Sequence, residues 1–334
     1  MVTSRPLSFL YTNSYDHSAD LLVKRVGNDR LFRFNLDLWR DYRVQIESDR
    51  FFIGSPAGRT ADSNFVIKFL WRKPLTGREL FPERRFERER VYEDEELAYA
   101  MRELWNRMYY EGRAILIDPA SDVLAGKLTQ SQVATRYFAV PRWEFVSGMR
   151  VGAERGRQCV VKSLTSLRVG EKRVLFTTRV SEDQLAPASP WMVQDYVAAQ
   201  RDVTVLVVRD ALFAFEVDRS EFPPGVVDWR HARTLAPAQE WRRHELPDSV
   251  ARAIREFMDD MALHYGRLDF LLSGKDYCFL EVNPNGEWAW LDPQGDAGVL
   301  EKLSQELSPD TPCHPLPNPR VIKSGLHGKV REGG

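Results

Sequence analysis

A chain of 334 residues with 43% apolar and 11% aromatic residues is long enough for two or three packed domains. Its 47 basic and 48 acidic residues leave a net charge of −1, so no overall field draws it to nucleic acid or to a membrane surface. No apolar run approaches a membrane span or the core of a secretion signal, and Cys159, Cys278 and Cys313 lack metal-ligand spacing, so free thiols in a cytoplasmic chain are expected.

Residues 7–11 (LSFLY) read as a strand, Ala19–Val26 as a helix and Leu31–Asn35 as a second strand, an α/β unit with a right-handed crossover. No Gly-rich phosphate loop follows the first strand. Tyr42–Ile53 reads as a hairpin, and Asn64–Trp71 as a strand running into Arg72-Lys73-Pro74. The charge run at 78–96 has the look of a solvated helix face and leads into an amphipathic helix, Tyr92–Glu111, and a strand, Ala114–Ile117. A helix over Ser121–Phe138 carries Lys127 and Gln130 on its polar side. Gln158–Lys162, Arg173–Thr178 and Trp191–Val197 then suggest a small antiparallel lobe. Asp202–Val208 and Leu212–Val217 form adjacent strands turned at Arg209-Asp210-Ala211. A Pro/Gly-rich excursion, Phe222–Val227, precedes Asp228-Trp229-Arg230, and helices are expected over Asp248–His264 and Asp296–Leu307. From Pro309 to Gly334 the composition predicts an extended or mobile tail. The expected domains are therefore 1–117, 118–190 and 191–308, with 309–334 as the tail.

The chemistry concentrates in GRLDFLLSGKDYCFLEVNPNGEW, residues 266–288. Two apolar strands, Leu268–Leu272 and Tyr277–Val282, join through Ser-Gly-Lys-Asp, and each contains an acid, Asp269 or Glu281, that its neighbours do not explain. Asn283 follows Glu281 at i+2 and shares its face. The three make a set of hard oxygen ligands of the kind Mg²⁺ takes when it also carries phosphates, although acids satisfied by a nearby Arg would look the same. Lys162 ends an apolar strand and can hold a phosphate as a point charge; an ordinary strand-end Lys reads alike. Gln194-Asp195-Tyr196-Val197 can present an edge to a flat base, or be an edge strand without a ligand. Arg230 offers a fork for phosphate or carboxylate, or a salt bridge to an acid such as Asp228.

With these residues together, the chain resembles the ATP-grasp superfamily, and within it the graspetide synthetases of the microviridin group (MvdC/MvdD type). The resemblance runs from the first strand to about Leu307. It is carried by LDF…FLEVNPNGEWAWLD, AGKLTQSQVA, VVKSL, VQDYV, KFLWRKP and VDWR. It implies an α/β fold with a pre-ATP-grasp N-terminal domain, a small central lobe and a C-terminal antiparallel-sheet lobe. It further implies Mg²⁺, with Mn²⁺ as a substitute, on Asp269, Glu281 and Asn283. ATP would lie on Lys127, Lys162, Gln194, Asp195, Tyr196, Val197 and Arg201, with Arg230 and Lys162 as catalytic cations and Arg72 and Asp228 toward the substrate. The implied activity is an ADP-forming ligase that crosslinks side chains within a precursor peptide of leader and core, in a homodimer or higher oligomer. A RimK-like ligase adding a free amino acid, or a non-catalytic peptide-binding relative, are the alternatives. Where the family commonly has Asp-x-Arg-Val, this chain reads Asp202-Val203-Thr204-Val205, which leaves Arg201 or Arg230 to replace the absent Arg.

Overall fold

All six residues of LSFLYT are buried, as a central parallel strand demands. The computed structural model describes residues 5–81, 84–147, 158–164, 177–181, 185, 190–235 and 240–316. In it β1 (Leu7–Thr12) pairs in parallel with β2 (Leu31–Asn35), and α1 (His17–Val26) is the crossover. A small antiparallel sheet of β3 (Arg43–Ile46), β4 (Phe51–Gly54) and β5 (Thr60–Asp62) precedes β6 (Val66–Trp71), which takes the other side of β1. The charge run resolves into α2 (Gly77–Leu80), opened by a Thr76/Glu79 capping box, and α3 (Arg88–Tyr110). Asp94 is the buried charge of α3, held by Arg40 at 2.6 Å and by the Trp39 indole at 2.8 Å.

Two expected elements differ. Residues 114–117 are not a strand; one parallel bridge joins Ala114 to Phe69, and Leu116 at φ +66° leaves strand geometry. The helix expected over 121–138 is split into α4 (Ser121–Leu124) and α5 (Lys127–Ala134), because Gly126 has non-helical torsions and caps α5. A second sheet, wholly antiparallel, follows: β7 (Trp143–Val146), β8 (Gln158–Lys162), β9 (Thr178–Ser181) and β10 (Trp191–Asp195), in the order β7-β10-β8-β9. The strand expected at Arg173–Thr178 lies mostly outside the described residues.

The third sheet is antiparallel throughout. β11 (Arg201–Val208) and β12 (Ala211–Asp218) are followed by α6 (Trp229–Leu235), β13 (Arg242–Arg243) and α7 (Asp248–Asp260). Then come the hairpin β14 (Tyr265–Ser273) and β15 (Asp276–Asn283) and, last, α8 (Val299–Leu307). The strand order is β13-β12-β11-β14-β15. Gly274 opens the hairpin turn at φ +60°, a left-handed torsion that suits Gly.

Alternation divides this sheet into two faces. Val203, Val205, Val207, Leu268, Phe270 and Leu272 pack with Ile254, Phe257 and Met258 of α7 and with α5. Leu206, Val208, Phe215 and Tyr265 belong to the other face and join the core of the first sheet, together with Trp288, Leu303 and Leu307. The first and third sheets therefore share one apolar core. The chain beyond 309 remains attached to it at first: Leu316 is buried, and Lys68 donates to Ser308 O at 2.6 Å and to Thr311 Oγ1 at 2.7 Å. The tail beyond Leu316 lies outside the described residues.

One irregularity decides the rest. Asp269 pairs with Glu281, but Phe270 pairs with Phe279, which leaves Leu280 as an extra residue in β15. In a regular strand 279 and 281 would share a face. The bulge lets Phe279 enter the core while Glu281 turns to the opposite face. Phe279 is fully buried against Phe138, Phe257 and Phe270, at ring separations of 5.8, 5.2 and 5.8 Å. Replacing Phe279 with Ala is expected to cost about 3–5 kcal/mol of stability, measured by urea denaturation.

Candidate active site

Thr204, Asp269 and Glu281 stand in one row across three strands, because Thr204 pairs with Asp269 and Asp269 with Glu281. Asp202, Arg267 and Asn283 are each two residues from a member of that row, so all six share one face. This face meets the second sheet across an open cavity of about 720 Å³. From the second sheet come Lys162, Gln194 and Asp195, with Tyr196 and Val197 just after it, and from the third Asp202, Asp269 and Glu281; Asp228 and Arg230 enter at the start of α6.

Nearly every acid here has its own cation. Arg219 meets Asp202 at 2.9 Å, Arg230 meets Asp228 at 2.8 Å, Arg267 meets Asp269 at 3.2 Å and Lys127 meets Glu281 at 3.3 Å. The Arg230 pair is a two-bond fork, with Nε at 2.9 Å and Nη2 at 2.8 Å. Asp228 also accepts the Arg230 amide at 3.0 Å, which opens α6 and fixes the guanidinium beside the cavity. Among the cations that line the cavity, only Lys162 has no acid partner among the described residues. Burial pushes its amine down, against the opposing pull of Glu281.

Burial favours protonation of the acids, and their partners decide the outcome. Glu281 is held at about 2, because Lys127, Lys162, Arg230 and Arg267 outweigh its burial. Asp228 likewise falls below the usual carboxylate range, burial being outweighed by Arg230. Asp202 goes the other way: burial lifts it to about 7 despite Arg219, and its Oδ2 has no hydrogen-bond partner among the described residues. Arg230 is raised by its hydrogen bond to Asp228.

α5 secures the edge of this arrangement. β15 is the last strand of its sheet, and the buried Gln130 takes the place of a further strand. Its Nε2 donates to Val282 O at 3.2 Å, and its Oε1 accepts from Val282 N. One turn earlier, Lys127 reaches both Glu281 and Ser163 O, the latter at 2.8 Å, and so ties the two sheets together. Gln194 is 1% exposed, and neither its Nε2 nor its Oε1 has a partner among the described residues. A buried carboxamide with both ends free is costly unless a ligand completes it.

The expected residues do not all converge. Lys162, Gln194, Asp195, Tyr196, Val197, Asp228, Arg230, Asp269 and Glu281 line the cavity; Lys127 touches Glu281 from outside the lining, and Asn283 shares the face without lining it. Arg201 is not brought there. It alternates away from Asp202 and pairs with Glu216 at 3.2 Å. Arg72 is not open to a substrate either, being 2% exposed. Its Nη1 donates to Asn285 Oδ1 at 2.7 Å and Gly286 O at 3.1 Å, and its guanidinium pairs with Glu287 at 3.1 Å. It thus holds the loop that leaves Asn283. Asp202, Arg219, Arg267 and Gln130 were not anticipated as site residues. Asp202 carried the same signal as Asp269, an acid at the head of an apolar strand.

Two carboxylates and a carboxamide fit a hard divalent cation that keeps part of its shell for phosphate oxygens and water. No cluster of three His, Cys, Asp or Glu side chains forms among the described residues, so the donor set is not a zinc-type cage. No described helix is long and apolar enough to cross a membrane.

No family model and no curated protein matches the sequence. Solved structures do. The macrocyclase MdnC of Microcystis aeruginosa MRC, bound with precursor peptide MdnA, is 18% identical with a TM-score of 0.71, over 92% of this chain and 99% of that one. A RiPP-associated ATP-grasp ligase of Chryseobacterium gregarium, in complex with ADP and a leader and core peptide, is 19% identical with a TM-score of 0.73, over 90% and 96%. The ATP-grasp ligase PsnB, complexed with a phosphomimetic variant of a minimal precursor, Mg and ADP, is 15% identical with a TM-score of 0.66, over 90% and 98%. The chain therefore has the ATP-grasp fold that its motifs suggested.

The depressed Glu281 carries a pH signature. Its stabilising contribution is complete above its ordinary value of 4.5 and is lost as pH falls from there toward about 2. Unfolding free energies measured between pH 5 and 2.5 should show wild type losing about 2 kcal/mol more than Glu281→Gln.

Proposed function

We propose that this chain is an ATP-dependent ligase that activates a carboxylate as an acyl phosphate and passes it to an amine or hydroxyl of a peptide. The observation that carries this reading is one cavity that joins Lys162, the forked Arg230, the Asp269–Glu281 pair and a buried carboxamide, Gln194, whose two ends, like the Lys162 amine, find no partner of their own among the described residues. The Gln194 amide can donate to and accept from an adenine edge, which has both kinds of group. Lys162 and Arg230 can hold the phosphate chain, Lys162 as a point charge and Arg230 as a fork aimed by Asp228. Asp269, Glu281 and Asn283 would hold Mg²⁺, or Mn²⁺ in its place, which neutralises charge on the transferring phosphoryl group.

In the first half-reaction an oxygen of the substrate carboxylate attacks the γ-phosphorus, the bond to the bridging oxygen breaks, and ADP leaves. In the second, an amine or hydroxyl attacks the acyl carbon, phosphate departs with the former carboxylate oxygen, and the proton lost by the nucleophile passes to that phosphate or to water. Arg230 would meet the negative charge that develops in both steps, and its fork to Asp228 keeps it from turning away. The peptide complexes of MdnC, the Chryseobacterium ligase and PsnB support a ribosomal precursor with leader and core as the substrate.

Co-expression with short peptides encoded nearby, followed by mass spectrometry, tests the reading. Loss of one water per link is expected; a mass gain with free amino acids would select the RimK-like activity instead. Glu281→Gln and Lys162→Met should each lower ADP release by a factor of about 10² or more. Unchanged turnover in both variants would remove the site from the mechanism.

A further inference from the structure

Asp269 is surrounded more tightly than a metal ligand needs. Thr204 Oγ1 donates to Oδ1 at 2.7 Å, Arg267 Nε donates to the same oxygen at 3.3 Å, and Arg267 Nη2 donates to Oδ2 at 3.2 Å. A carboxylate offers about two lone pairs on each oxygen. Oδ1 is therefore fully occupied, and Oδ2 keeps one lone pair.

Arg267 cannot easily withdraw. It is 6% exposed, and its guanidinium packs beside the paired Trp229 and Trp290 rings, at 5.9 and 5.8 Å from their centroids. Its Nη1 donates to Glu287 O at 3.2 Å. Gly286 closes over it so tightly that a Cβ there would stand 2.5 Å from Arg267 Cβ. Thr204 is equally confined, 1% exposed in the middle of β11.

Given the nucleotide–metal reading above, on which this step rests, we infer that Arg267 and Thr204 lock Asp269 into one-oxygen coordination and make the site select a small octahedral cation. Arg267 is then a positioning residue that acts through Asp269. Ca²⁺ takes six to eight oxygens and often both oxygens of one carboxylate, while Mg²⁺ takes six in a strict octahedron and uses carboxylates one oxygen at a time. A ligand reduced to one lone pair costs Mg²⁺ nothing and denies Ca²⁺ its chelate.

The test is calorimetric titration of the non-hydrolysable analogue AMPPNP with MgCl₂ or CaCl₂, in wild type, Thr204→Val, Arg267→Gln and Arg267→Lys. Wild type should prefer Mg²⁺. Thr204→Val and Arg267→Gln should each reduce that preference by about five-fold or more, the scale of one lost hydrogen bond to the ligand. Arg267→Lys keeps the charge but not the fork, and should follow Arg267→Gln. A preference within about two-fold of wild type in Thr204→Val, a nearly isosteric change that folds even where an Arg267 variant does not, overturns the inference. Wild type that binds AMPPNP with neither metal overturns the ligase reading and this inference together; binding with an unshifted preference overturns the inference alone.

Discussion

Placing Asp269 directly opposite Glu281 on a buried sheet face is the constraint on which the rest of the structure depends. Side chains facing each other on paired strands lie about 5 Å apart, where two carboxylates repel and water can no longer screen them. The pair persists because cations arrive from three directions: Arg267 from its own strand, Lys127 from α5 and Lys162 from β8. Each forces a piece of architecture. Lys127 requires α5 to begin against β15, and Gln130 completes the unpaired edge of that strand. Lys162 requires the second sheet to meet the third, and that meeting is the cavity. Phe279 and the Leu280 bulge supply the other half of the constraint, anchoring the same strand in the core on its far side.

The N-terminal sheet is joined to this site by charge as well as by a shared core. Arg72 leaves the end of β6 and clasps the carbonyls and side chain of the Asn285–Glu287 loop, while Lys73 adds an ion pair to Glu287 at 2.9 Å. Burial works against the Glu287 carboxylate, yet Arg72 and Lys73 hold it at about 2. Breaking one member of such a network leaves the others charged and buried, which costs more than the network as a whole contributes. The loop that follows Asn283 is therefore fixed from outside the sheet that carries Asp269, Glu281 and Asn283, and the spacing NPNGEW serves two neighbours at once.

Much of this was legible in the chain before any coordinates. Acids inside apolar strands are expensive, so Asp269 and Glu281 announced themselves, and the strong strands of all three large sheets lay within a few residues of their expected ends. What the sequence hid has physical reasons. A bulge is one extra residue without a compositional mark, so alternation placed Phe279 and Glu281 together where the structure separates them. Gln130 looked like a surface residue of an uninterrupted helix; the break at Gly126 and the edge of β15 gave it a buried task. Arg201 stood next to Asp202 in the chain and seemed the natural replacement for a missing Arg at 204. Adjacent residues on a strand face opposite ways, whereas Arg267, far off in sequence, lies on the same face one strand over.

Charge also bears on what the cavity accepts under the proposed function. Among the described residues, Asp195, Asp202, Asp228, Asp269 and Glu281 stand around it together with Lys127, Lys162, Arg219, Arg230 and Arg267. The carboxylates that would bind a free divalent cation are engaged by Lys127 and Arg267. A dication that displaced Lys127 from Glu281 would leave that amine without counter-charge in a poorly screened space. The displacement becomes favourable when the ion enters with a polyanion that meets the released Lys127 and Lys162 at the same time. A nucleoside triphosphate bearing its own Mg²⁺ has that composition, and a free carboxylate or a single phosphate carries too little charge to supply it. The arrangement thus favours taking up metal and nucleotide as one unit over filling the metal site first.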